Sequence, residues 1–141
     1  MTWVFIVHLV TSLFMCGLCW FVQVVHYPLF LTIRPEDFPA YEQKNFVTAY
    51  LTVPLMCIEL LTGLYLVYQQ PEMLYVLNTA LLFVIALSTA ILQVPYHLKL
   101  MKVADVGLIK KLIRSNWIRT IAWTLRALLL AYVLFKMLPK N

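Results

Sequence analysis

Long apolar stretches separated by short polar ones make up the chain. Four of them, Trp3–Val25, Phe46–Tyr68, Met73–Pro95 and Ile118–Leu138, reach the roughly 20 residues that a helix needs to cross a bilayer. The few polar residues inside these stretches are not scattered. At helical periodicity His8, Ser12, Cys16, Cys19, Gln23 and His26 share one face of the first stretch. Thr48, Thr52, Glu59, Thr62 and Gly63 do so on the second, and Asn78, Thr89, Gln93, Tyr96 and His97 on the third. The fourth aligns Asn116, Arg119, Trp123 and Arg126. Polar groups are costly against lipid, and a side-chain hydrogen bond between membrane helices contributes about 1 kcal/mol. All four faces should therefore turn inward. The pattern predicts an all-α integral membrane protein: an antiparallel four-transmembrane-helix bundle with a polar interior seam, in a single membrane domain over residues 1–141.

The connections refine this picture. "QQPE", Gln69 to Glu72, is so short that the second and third helices must be antiparallel neighbours. In "RPEDFPAYEQKNF" a helix should start, with Asp37 as N-cap and Pro39 in the first turn, and run toward a kink at Pro54. Pro28 should mark where the first helix leaves the bilayer. Residues 103–114 set Leu108, Ile109, Leu112 and Ile113 against Lys110, Lys111 and Arg114, a pattern that suits a short amphipathic helix on the membrane surface or a loop with snorkelling lysines.

Composition agrees with the membrane reading: 63% of the 141 residues are hydrophobic, against roughly 45–50% in soluble domains. The first stretch lacks a basic leader and a small-residue cleavage pattern, so it is expected to be retained. The net charge of +5 reports topology and contact with anionic headgroups. No basic-aromatic platform of a nucleic-acid binder accompanies it. Arg34 and Lys44 in the first connection, with Lys99, Lys102, Lys110, Lys111 and Arg114 in the third, share one membrane face; Lys136 and Lys140 mark the other. The positive-inside rule then sets the basic connections in the cytoplasm of a bacterial inner membrane, with both termini outside. Cys16 and Cys19 have the spacing of a redox pair. Mid-membrane they read instead as small packing residues, and no disulfide framework is expected.

Charged side chains cost about 2.5–3.5 kcal/mol each at mid-membrane. At helical rise Glu59 lies roughly 20 Å below Phe46 and Arg126 roughly 15 Å below Asn116, close enough in depth to pair. Near the connection-bearing end, "QVVHYP" and "QVPYH" repeat a Gln one turn before a His, beside a Tyr and a Pro. Their imidazoles, His26 and His97, could meet. Two His with the Glu59 carboxylate would make a ligand set for iron or zinc, with Pro54 supplying the bend that Glu59 needs. Two His alone could ligate haem. A metal-free polar pocket for a quinone-like organic molecule, and purely structural polarity, fit the same residues. His8, near the far end, is expected to lie outside any site.

"HYPLF", "QVPYHLKL" and "NWIRTIAWTLRALLL" resemble segments of the small four-helix bacterial membrane proteins related to the anthrone oxygenases. That resemblance implies the same four-helix layout, a polar site near the connection-bearing end and cofactor-sparing oxidation of a polycyclic phenol. Pro95, His97, Trp117 and Arg126 match its recurring positions, although the related proteins often carry Asn where this chain has His97.

The first functional reading is therefore an oxygenase or oxidoreductase acting on a hydrophobic small molecule from the bilayer. His26 or His97 would serve as base or ligand. Arg119 or Arg126 would stabilise a phenolate or enolate. Gln23, Gln93, Tyr96, Asn116 and Trp117 would line the cofactor or ligand pocket. The second is a non-catalytic subunit or scaffold, in which the seam fixes helix register. A transporter would need a homo-oligomer, since four helices leave little room for alternating access.

Overall fold

A computed structural model describes residues 2–139 of the chain; Lys140, counted above on the far side, lies outside them. Four helices are long and apolar enough to cross a membrane: α1 Thr2–Thr32, α2 Phe38–Gln69, α3 Met73–Leu100 and α4 Val106–Met137. The protein is a multi-pass membrane bundle, with no strand among the described residues. α1 packs on α2 and α4, and α3 packs on the same two, so antiparallel neighbours close a ring. Large apolar side chains such as Val10, Val24, Leu61, Leu87 and Leu128 cover the outside. In lipid that exterior needs no further cover, and the polar residues go inward because lipid offers them no partner.

Every span is longer than its apolar run, and the prolines explain part of the difference. Pro28 has no N–H to give, yet α1 continues through it to Thr32 instead of ending there. Just before it, Val22–His26 widens into a π turn, in which the Tyr27 N–H bonds the Val22 carbonyl. α3 repeats the device: Thr89–Gln93 is a π turn, and the Val94 N–H bonds the Thr89 carbonyl immediately before Pro95. A wide turn absorbs the missing donor without breaking the helix. At Pro54 the helix Ala49–Gln69 runs on unbroken. The irregularity expected there falls earlier, in a tight 3₁₀ turn at Phe46–Thr48.

The first connection forms the helix Phe38–Asn45, with Asp37 at its N-cap position. The Asp37 carboxylate bonds Arg34 (2.8 Å) rather than a backbone N–H. Residues 103–114 do not make a separate surface helix. α4 starts at Val106, capped by the Asp105 carboxylate on the Leu108 N–H (3.0 Å). Ile109 and Leu112 are buried against Tyr27, Phe30, Phe38 and Leu100. An amphipathic pattern cannot distinguish lipid from protein as the cover for its apolar face; here the cover is protein.

Three apolar layers stack along the bundle. Phe5, Leu9, Leu66, Tyr75, Leu130 and Val133 fill the end bearing the termini. Met15, Cys19, Leu82, Ile85, Ala122 and Trp123 fill the middle. The cluster around Tyr27, Phe30 and Phe38 closes the end bearing the long connections. Polar layers lie between them.

Candidate functional site

The deeper polar layer is sealed. Glu59 on α2 and Arg126 on α4 form a fully buried ion pair across the ring, the pairing that their depths predicted. Ser12 donates to Glu59 Oε2 (2.8 Å), the same oxygen that Arg126 contacts. Asn78 Oδ1 accepts from Arg126 Nε (3.2 Å), and Asn78 Nδ2 donates to the Arg126 carbonyl (3.2 Å). The Arg126 guanidinium also lies 4.5 Å from the Trp123 ring centroid. His8 belongs to this layer. Its Nδ1 pairs with Thr62 (2.8 Å) and its Nε2 with Asn78 (3.1 Å). Gly63 makes room for it, since a Cβ there would stand 3.2 Å from His8 Cε1 and 3.1 Å from Thr79 Oγ1. Pairing all four helices through buried polar groups makes this layer a structural clamp, although Glu59 Oε1 and Arg126 Nη2 have no hydrogen-bond partner in it.

Glu59 therefore does not join the two histidines as a metal ligand. It is committed to Arg126 and Ser12, because a lone buried carboxylate is costlier than one beside a guanidinium. The carboxylate that does meet the histidines is Glu42, on the short helix of the first connection. His97 Nδ1 donates to Glu42 Oε1, and Asn45 Nδ2 donates to Glu42 Oε2 (3.2 Å). Asn45 Oδ1 in turn accepts from His26 Nε2 (2.8 Å). The Tyr27 hydroxyl completes the chain by donating to His97 Nε2 (2.9 Å). His26, Asn45, Glu42, His97 and Tyr27 thus form one continuous relay. Both His97 nitrogens are occupied, so His97 offers no free lone pair to a shared metal, and the described residues contain no three-membered His/Cys/Asp/Glu group arranged to hold one.

Sequence reasoning missed Glu42 and Asn45 by treating their segment as a connection. The signal was present: Phe38, Tyr41, Glu42 and Asn45 recur at helical spacing after Asp37-Phe-Pro. Phe38 and Tyr41 pack on Phe30 of α1, which presses Glu42 into the bundle, where it is fully buried.

Beside the relay lies the cleft. One cavity of about 90 Å³ is walled by Cys19, Val22, His26, Tyr27 and Arg119. A second, of about 170 Å³, is walled by Met56, Thr89, Gln93, His97 and Arg119. Asn45, Thr48 and Thr52 border both. Arg119 is common to the two and stands between the His26 side and the His97 side. Its Nη1 donates to Asn116 Oδ1 (3.2 Å). Its buried Nε has no partner, and no carboxylate pairs with it among the described residues. A guanidinium without a counter-charge, facing a cavity inside an apolar bundle, is a ready anion site.

The remaining candidates divide. Asn116 donates to Gln23 Oε1 (3.0 Å), and Gln23 Nε2 donates to the Ile113 carbonyl (3.2 Å), so both lock α1 to α4 behind Arg119. Gln93 accepts from Ser88 and donates to Ser115 (3.1 Å) at the cavity edge. Tyr96 packs into the apolar layer at the connection-bearing end. Trp117 is not a pocket residue: it is 43% exposed and packs edge-on against Trp20, 5.7 Å away on the outer face. Arg126 lies in the clamp, not the cleft. All three cysteines are free thiols, and Cys19 touches Thr120 as a packing residue. No protein-family model, curated protein or solved structure matches this chain, so its chemistry has to be read from the cleft itself.

Proposed function

We propose that the Arg119 cleft binds a hydrophobic molecule with an acidic or phenolic head, entering from the bilayer, and that Tyr27, His97 and Glu42 move its proton. That is the step an oxygenase or oxidoreductase acting on a membrane-dissolved phenol requires. The observation that carries the reading is Arg119: a cation with no acidic partner, shared by a cavity that His26 borders and one that His97 borders. Arg119 would hold the phenolate or carboxylate, and an anion held there is stabilised more strongly than in water. Tyr27 lines the cavity on the His26 side, and its hydroxyl is bonded to the His97 imidazole, with the Glu42 carboxylate behind that. This order lets a proton pass from ligand to imidazole through one phenol.

Kinship with the small bacterial proteins related to the anthrone oxygenases is part of the proposal, as is a bacterial inner membrane with the basic connections in the cytoplasm. Of the positions that the resemblance marks, His97 belongs to the relay and Pro95 backs the wide turn beside it. Trp117 and Arg126 lie elsewhere, so the reaction here would rest on Arg119 instead. A scaffold role is favoured for the Glu59–Arg126 clamp, where both charges are fully buried against each other.

Mass spectrometry of solvent extracts from the purified protein tests the reading. The wild type should carry an acidic or phenolic lipid-soluble compound that is depleted in extracts of Arg119→Gln. Identical extracts from the two proteins would overturn it.

A further inference from the structure

A third cavity, of about 290 Å³, opens between α2 and α3 and is lined almost wholly by apolar side chains, among them Leu60, Leu82, Phe83 and Ala86. It adjoins the Arg119 cleft, since Val53, Met56, Thr89 and Val94 wall both. On α2 its lining steps from Val53 through Met56 and Cys57 to Leu60, about 10 Å of helix at 1.5 Å per residue. The cleft above is polar and cationic; the groove below is apolar and leads toward the bundle middle. On α3 the π turn Thr89–Gln93 lies where the two meet, and Thr89 lines both while its hydroxyl is tied back to the Ile85 carbonyl (2.8 Å).

We infer that the two cavities form one site for a single-tailed amphiphile: an ionised carboxyl or phenol on Arg119 and one unbranched or prenyl-like tail between α2 and α3. The inference rests on Arg119 binding the head and adds the class of molecule. A compact polycyclic phenol would fill the cleft and leave the groove to lipid. A two-tailed phospholipid has one chain too many for a channel walled by two helices. Charge complementarity selects an anion over a neutral or zwitterionic head, since Arg119 lacks an internal counter-ion. The tail contributes position rather than much affinity, because bilayer and groove solvate it almost equally.

The test uses the full chain in phosphatidylcholine nanodiscs with palmitic acid carrying a photoreactive diazirine in its tail. Adducts are mapped by mass spectrometry, and 2-naphthoate binding is measured in parallel as a tail-free probe of the head site. Adducts are expected on residues 53–60 and 82–90, displaced by unlabelled palmitate but not by hexadecanol or lysophosphatidylcholine. Arg119→Gln should reduce both labelling and naphthoate binding roughly 10- to 100-fold, the cost of a lost charge-assisted bond. Ala86→Trp, which fills the groove from its lipid-facing side, should abolish groove labelling and leave naphthoate binding intact. Labelling spread over all lipid-facing surfaces and indifferent to both substitutions would overturn the tail site while naphthoate still binds. Loss of naphthoate binding dependence on Arg119 would instead remove the head site beneath it.

Discussion

Glu42, in the Phe38–Asn45 stretch that opens α2, accepts a hydrogen bond from His97 on α3. Through Asn45 the same carboxylate reaches His26 on the first span. One residue from a connection thus ties together the two histidines that the sequence made conspicuous. Glu42→Ala should leave His97 Nδ1 and the Asn45 amide without partners. The expected loss is about 1–3 kcal/mol of stability for each buried group left unpaired. Thermal unfolding in detergent checks this; an unchanged midpoint would mean that the connection does not hold the histidines.

The clamp makes a different demand. Glu59→Gln alone strands the Arg126 guanidinium, and Arg126→Gln alone strands the carboxylate, at about 3–5 kcal/mol each. Replacing both removes two buried charges at once and should recover much of that loss. A double-mutant cycle on unfolding free energies measures the coupling, and strictly additive single effects would contradict the pair.

Gly63 and His8 should also be coupled. An alanine methyl at residue 63 would press on His8 Cε1 at 3.2 Å, although alanine is the better helix former by about 1 kcal/mol. Gly63→Ala should therefore destabilise the wild type and cost less in a His8→Ala background, where only the Thr79 Oγ1 contact at 3.1 Å is left. An equal cost in both backgrounds would show that His8 does not need the space.

Tyr27→Phe removes the hydroxyl from the relay while keeping the ring that packs on Phe30 and His97. Naphthoate affinity should change little, because Arg119 holds the head. Exchange of a bound 2-naphthol proton, followed by the pH dependence of its fluorescence, should slow. Unaltered exchange would take Tyr27 out of the proton path.

The bundle was legible in the sequence because lipid imposes a strict rule, polar residues inward and apolar residues outward. His8, Ser12, Gln23, Asn78, Gln93, Asn116 and Arg126 are all buried. The Glu59–Arg126 pair was legible for the same reason, since helical rise alone set the two at similar depth. The cleft was only half legible. Gln23, His26, Gln93, His97 and Arg119 could be set near one end, but no periodicity marks which carboxylate will serve two histidines. Glu42 lies in a polar segment whose burial depends on Phe38 and Tyr41 packing against α1, a tertiary event. The "QVVHYP" and "QVPYH" similarity misleads in register. The wide turns align Pro28 with Pro95, so His26 corresponds to Gln93, and His97 sits a full turn further on. The extension of α4 back to Val106 was hidden because a surface helix and a buried one share the same amphipathic code.

The central claim is that Arg119 is an anion site within the membrane, and a titration with 2-naphthoate against 2-methylnaphthalene measures it directly. The wild type should bind the acid in preference to its neutral analogue, and Arg119→Gln should lose roughly 10- to 100-fold in affinity for the acid alone. Equal affinities for acid and analogue, or a naphthoate affinity unchanged in Arg119→Gln with the fold intact, would contradict it.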